Sequence, residues 1–226
     1  MKYLDSDRLL SDKHDILKKI IRKSDKLEEA KKLFLEIHAA LHHSAVSGGK
    51  PNEIYALFAD LTPQEFTVVP TVKDETIAWA VWHLARIEDM TMNILVVGAE
   101  QIFNSEWQKR MNTTFTDTGV AMSGEEIMKL SNEINSAELL KYRNAVGKRT
   151  REIVTKLIAD DMKRKVSPDG INKIRSEGGT CEKSEGLLEY WGGKDIAGLL
   201  LMPPTRHLMM HLNDCCKWKQ KIRKEK

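Results

Sequence analysis

At 226 residues the chain is long enough for one well-buried core and too short for more than two small domains. Acidic and basic residues nearly cancel, and the formal charge of +3 is too weak to argue for nucleic acid. No apolar run approaches a membrane span, and the N-terminus is polar with no signal-peptide core. Cys181, Cys215 and Cys216 form no disulfide framework. The expectation is a cytoplasmic protein with a single domain over residues 1–226, no membrane segment and no nucleic-acid partner.

The chain reads as mostly helical. His14 lies in a charged N-terminal stretch that carries no assignment. Residues 27–46 place Leu27, Ala30, Leu33, Phe34, Ile37 and Leu41 at helical spacing, and the Ser47-Gly48-Gly49 run stops them. A short helix capped by Asn52 should run to Ala59, and residues 62–71, with Pro63 and Pro70, read as a connector. A second long helix is expected from about Asp74 to Val97, ending at Gly98. Gln101 to Asn112 predicts a short helix, and Ser123-Gly124-Glu125-Glu126 has the form of a capping box opening another. Ser136 to Met162 predicts the third long helix, with Leu139, Leu140, Tyr142, Val146, Ile153, Leu157 and Ile158 buried. Ser167-Pro168-Asp169-Gly170 reads as a turn, and Gly186 to Leu201 as compact connecting structure. The fourth long helix should start at Pro203 or Pro204 and run to about Ile222, its basic end being a solvated helix terminus. Four long amphipathic helices without strand signals predict an all-α four-helix bundle with elaborated, crossing connections.

The chemistry-bearing residues are histidines. His207 and His211 stand four apart, on one helix face about one turn from each other. Asp214 falls on the same face, where it could orient an imidazole or act as a further ligand. Leu208 occupies the place of the zincin glutamate, so that general base is missing here. Spacing alone favours surface or hydrogen-bonded histidines over ligands. His83 sits in an apolar run behind Trp79 and Trp82, as a satisfied core residue or a third ligand. His38 and His42 form a competing pair near a helix end, not expected to make a metal site of their own. Cys215 and Cys216 have no orienting histidine and read as small core residues.

Two segments together carry a resemblance. Trp82-His83-Leu84-Ala85-Arg86-Ile87-Glu88-Asp89 is similar to the second-helix signature of the DinB-like (YfiT-like) metalloenzyme superfamily. Leu199-Leu200-Leu201-Met202-Pro203-Pro204-Thr205-Arg206-His207, with His211, resembles its fourth-helix HxxxH. The resemblance implies an up-down-down-up four-helix bundle with a divalent metal held at one end by His83, His207 and His211. Known members include thiol-dependent transferases, and some lack the ligands. The expected function is a metal-dependent reaction on a small electrophilic substrate. Transfer of a low-molecular-weight thiol comes first and metal-assisted hydrolysis next, with Zn²⁺ or Ni²⁺ suited to imidazole ligands. The alternative is a non-enzymatic metal- or ligand-binding bundle, a stress-associated interaction protein. A homodimer is a family-level expectation only.

Overall fold

The computed structural model describes Leu4, residues 8–72 and residues 75–224. Among these residues the protein is all-α. The only β-pairing is an isolated bridge between Lys165 and Asp195.

The chain opens with α1 (Leu9–Ile20), a helix the sequence reading left unassigned. Leu10, His14, Leu17 and Ile20 are buried at helical spacing, and α1 packs on α2 (Leu27–Leu41). The predicted helix over residues 27–46 divides in two. His42 takes an extended conformation after Leu41, and α3 (Ser44–Ser47) starts again with the His43 ring accepting from the Ala45 N–H. The carbonyls exposed by that break find new donors. Asn52 Nδ2 donates to those of Ala39 and His42, and Arg143 donates to that of Leu41.

Asn52 caps α4 (Glu53–Phe58), as expected. The predicted connector contains α5 (Pro63–Thr67): Pro63 takes the first helical position and Thr62 with Glu65 forms a capping box. The expected start at Asp74 lies outside the described residues. The described helix α6 (Ile77–Asp89) is capped by Thr76. Every residue of α6 is buried, which makes it the central element. It continues as a wide π-helical stretch, Met90–Val96, up to the predicted stop at Gly98, where φ is +65°.

The middle of the chain holds α7 (Ser105–Met111) and α8 (Gly124–Glu133), the latter opened by the Ser123–Glu126 capping box. Helix α9 (Ser136–Lys156) ends before the predicted Met162, and Ile158 turns out to solvent, 60% exposed, rather than inward. The Ser167–Gly170 turn is instead the start of α10 (Pro168–Ser176), with Ser167 as cap and Pro168 inside the first turn. The same S-P-D signal serves a turn or a helix start, and the following Ile171 and Ile174 decide for the helix. The connecting structure after Gly178 comprises α11 (Glu185–Gly192) and α12 (Ile196–Leu200).

A second π-helical stretch, Met202–His207, leads into α13 (Leu208–Lys224). Pro203 and Pro204 have no N–H to give the preceding turn. The Thr205 hydroxyl donates to the Leu200 carbonyl at 2.9 Å, and His14 of α1 hydrogen-bonds the Leu201 carbonyl at 2.8 Å. Helix α6 packs against α9 and α13, and α2 packs against α9, α13 and the Met202–His207 stretch. These contacts set both histidine-bearing segments around one core. No described helix is long and apolar enough to cross a membrane.

Candidate metal centre

His83 sits mid-way along α6 with its ring fixed on both sides. Nδ1–H donates to the Thr118 carbonyl at 2.7 Å, so the lone pair is on Nε2. Trp79, one turn earlier, stacks on the ring at 4.9 Å with 9° between the planes. The Thr118 carbonyl belongs to a strap, residues 116–119, whose four consecutive carbonyls all accept from α6. Arg86 donates to Thr116, the Trp82 indole to Asp117, His83 to Thr118 and the Trp79 indole to Gly119. Gly119 has φ +75°, and a Cβ there would stand 3.0 Å from the Trp79 indole nitrogen. Sequence reasoning missed the strap. Its one trace is Asp117-Thr118-Gly119, which reads only as a turn.

His207 and His211 arrive from the other side. His207 Nε2 stands 3.2 Å from His83 Nε2. The three rings are close and nearly perpendicular: 5.0 Å and 68° for His83–His207, 5.2 Å and 74° for His83–His211, 4.7 Å and 78° for His207–His211. One nitrogen from each ring lies within 4.8 Å of the others. Nitrogens about 2.0–2.1 Å from one tetrahedral ion stand roughly 3.3 Å apart, so the His83–His207 spacing suits a shared ion. Burial, with the neighbouring His211, pushes His83 down to about 4. Burial, followed by the charges of His83 and His211, holds His207 well below the usual imidazole range. His83 and His207 are therefore neutral at neutral pH, the form a metal requires. The residues present fit a divalent cation.

Asp214 does not join this cluster. Its carboxylate is partly exposed and accepts from Lys217 at 3.2 Å, at the surface end of the helix face. The cysteines are chemically quiet. Burial raises Cys215 far above the usual thiol range and lifts Cys216 to about 11.

The rival pair makes a different object. His38 and His42 both face Glu88 of α6: His38 Nε2 lies 3.0 Å from Oε1, and His42 Nε2 3.1 Å from Oε2. All three side chains are at most 1% exposed. The two rings are stacked at 3.9 Å and 18°. Parallel rings point their nitrogen lone pairs side by side rather than at a common point. The group cradles a carboxylate and is poorly shaped to chelate an ion, in contrast to the perpendicular rings around His83. The cradle is built at a cost in helix α9, where Gly147 sits because a Cβ would meet the His42 Cδ2 at 2.4 Å.

An all-helical protein with a three-histidine cluster between two buried helices is the class that fold and site define. The chain belongs to the DinB superfamily, whose sequence profile matches residues 50–214, well over half its length. No curated protein matches the chain closely enough to lend it an activity.

Proposed function

We propose that the protein binds one divalent cation through His83, His207 and His211 and uses it on a small electrophilic substrate. The observation that supports this reading most is the set of three mutually perpendicular imidazoles, with His83 Nε2 facing His207 Nε2 at 3.2 Å. A bound Zn²⁺ or Ni²⁺ would supply Lewis-acid chemistry, lowering the pKa of a thiol or water or polarising a carbonyl. The chain's own residues do the rest. Thr118 and Trp79 hold the His83 ring in one tautomer and one plane. Buried Trp79 and Trp82 keep water from that side of the ligands. The preferred reaction is transfer of a low-molecular-weight thiol, with hydrolysis second; a homodimer in the cytoplasm belongs to the same family-level reading.

Elemental analysis of protein purified without a histidine tag or added metal is the first test. About one equivalent of Zn or Ni is expected. Calorimetric titration of the parent and His207→Ala follows. At about pH 7.5 the variant should bind at least a hundredfold more weakly, with helicity unchanged. The parent should itself weaken towards about pH 5.5, because protonated imidazole offers no lone pair. Equal affinities for the two proteins would remove His207 from the ligands. Loss of a small thiol's reactivity on removing the ion would support transfer; a metal-loaded protein inert to thiols and hydrolysable esters alike would favour the non-enzymatic alternative.

A further inference from the structure

Outside the ligands, the most constrained ionisable group is Glu88. It lies on α6 five residues beyond His83, about 7.5 Å further along the helix axis. Helix α2, which supplies His38 and His42, also packs against the Met202–His207 stretch. The carboxylate is therefore set between the two segments that carry the candidate ligands. Burial works to raise it, but the His42 charge and the hydrogen bonds from both rings win, and it sits below the usual carboxylate range. The other charged groups around it are few. Arg143 of α9 is 1% exposed; burial lowers it to about 10, which leaves it a cation at neutral pH. Arg151 of α9 bears on His38. Burial lowers His38, and lowers His42 to about 3, so both rings are neutral donors.

Three neutral imidazoles give a dication no negative charge. A fully buried carboxylate, two histidines spent on orienting it and a glycine placed in mid-helix to admit one of them form an expensive arrangement if its only purpose is packing. We propose that Glu88 is the buried counter-ion of the metal centre, kept ionised by His38 and His42 and placed behind the ligands rather than among them. His38 and His42 are then positioning residues for that charge. Both precede the segment matched to the superfamily, so the device is assembled partly from chain outside the match. This inference rests on the metal reading above.

Glu88→Gln tests it with little change of shape. The amide oxygen still accepts from one ring and the amide nitrogen donates to the other, but the charge is gone. Zn²⁺ titration of the full untagged chain should show binding on the order of tenfold weaker in the variant. Loaded with Co²⁺, the variant should show its pH-dependent change in visible spectrum at lower pH, by about one unit. A nearby negative charge holds the proton on water carried by the ion, and its removal lets that proton go. A variant that had merely loosened the site would bind more weakly without that fall in midpoint. If Glu88→Gln does not fold, glutamate labelled at the carboxyl carbon tests the premise in the parent. The Glu88 signal should remain that of a carboxylate down to about pH 5. A neutral carboxyl at pH 7, an unchanged affinity in the variant, or a second ion lost with Glu88→Gln would each overturn the proposal. A parent that takes up no metal would sink the metal centre with it; a parent that binds and a variant that matches it would sink the counter-ion alone.

Discussion

His83 illustrates how one side chain acquires a chemical role from its neighbours. In the sequence it is a histidine in an apolar run, equally at home as a core residue or as a ligand. The structure gives Nδ1 a carbonyl to hold and leaves Nε2 facing another imidazole. No periodicity could supply that information, because the carbonyl comes from a strap more than thirty residues away. His207 and His211 were more legible, since the i, i+4 spacing follows from helix geometry alone. Asp214 shows the limit of the same geometry. It shares a helical face with the pair, yet Lys217 claims it at the surface. Gly147 carries a test at this scale. Alanine would gain up to about 1 kcal/mol of helix propensity but would drive a Cβ into the His42 ring. Overpacking of that kind costs about 1–3 kcal/mol, so Gly147→Ala should be destabilising on balance and should lower the urea midpoint. A raised midpoint would mean that the His42 cradle is slack.

Among the elements, those with an explicit cap were readable and those that break their own pattern were not. Asn52 and the Ser123–Glu126 box mark real helix starts. Pro63 and Pro168 were taken as turn residues, although proline in a first helical turn forfeits nothing. Helix α1 was visible in principle from Leu10, His14, Leu17 and Ile20, but its charged exposed face masked the stripe. The two π-helical stretches left no signal that amphipathic periodicity would detect, and the second is tied down by particular bonds. Thr205 Oγ1 donates to the carbonyl that Pro204, lacking an N–H, cannot serve. Thr205→Val should strand a buried carbonyl at a cost of about 1–3 kcal/mol. The same change should loosen the approach to His207 and weaken metal binding severalfold. Stability and Zn²⁺ affinity both at parental values would show that the hydroxyl bond is dispensable.

For the whole molecule, all-α architecture followed from composition and pattern, because one continuous core joins the long helices. The sequence also identified the two segments that meet at the candidate centre. It could not foresee the buried polar interior behind them. That interior makes the protein acid-sensitive in a definite direction. His38 and His42 are lower in the folded protein than in the unfolded chain, the latter at about 3. Between roughly pH 6.5 and pH 3 the unfolded chain therefore binds more protons, and stability falls as pH falls. Glu88, also lowered, acts in the same sense below the ordinary carboxylate range. Urea midpoints of metal-free protein should decline steadily from about pH 7 to pH 5. A midpoint that holds or rises over that interval would mean that these rings are charged in the folded state.

The strap over residues 116–119 has a bearing on which changes the gene can tolerate. Its grip on α6 is made by side chains of α6 and by backbone oxygens of the strap. Every residue type carries such an oxygen. The identities at Thr116 and Thr118 are therefore weakly specified from this side, while the number of residues is strictly specified. Removing one amino acid shifts every later carbonyl past its donor. In a library scanned across the strap, Thr116→Ala and Thr118→Ala should keep the fold and the Zn²⁺ affinity within about threefold. Single-residue deletions should lose both, as should substitutions at Gly119, whose positive φ and contact with Trp79 exclude a side chain. Deletions tolerated as well as alanines would show that His83 is held by something other than the strap. In this segment selection would act on spelling length, and hardly on spelling.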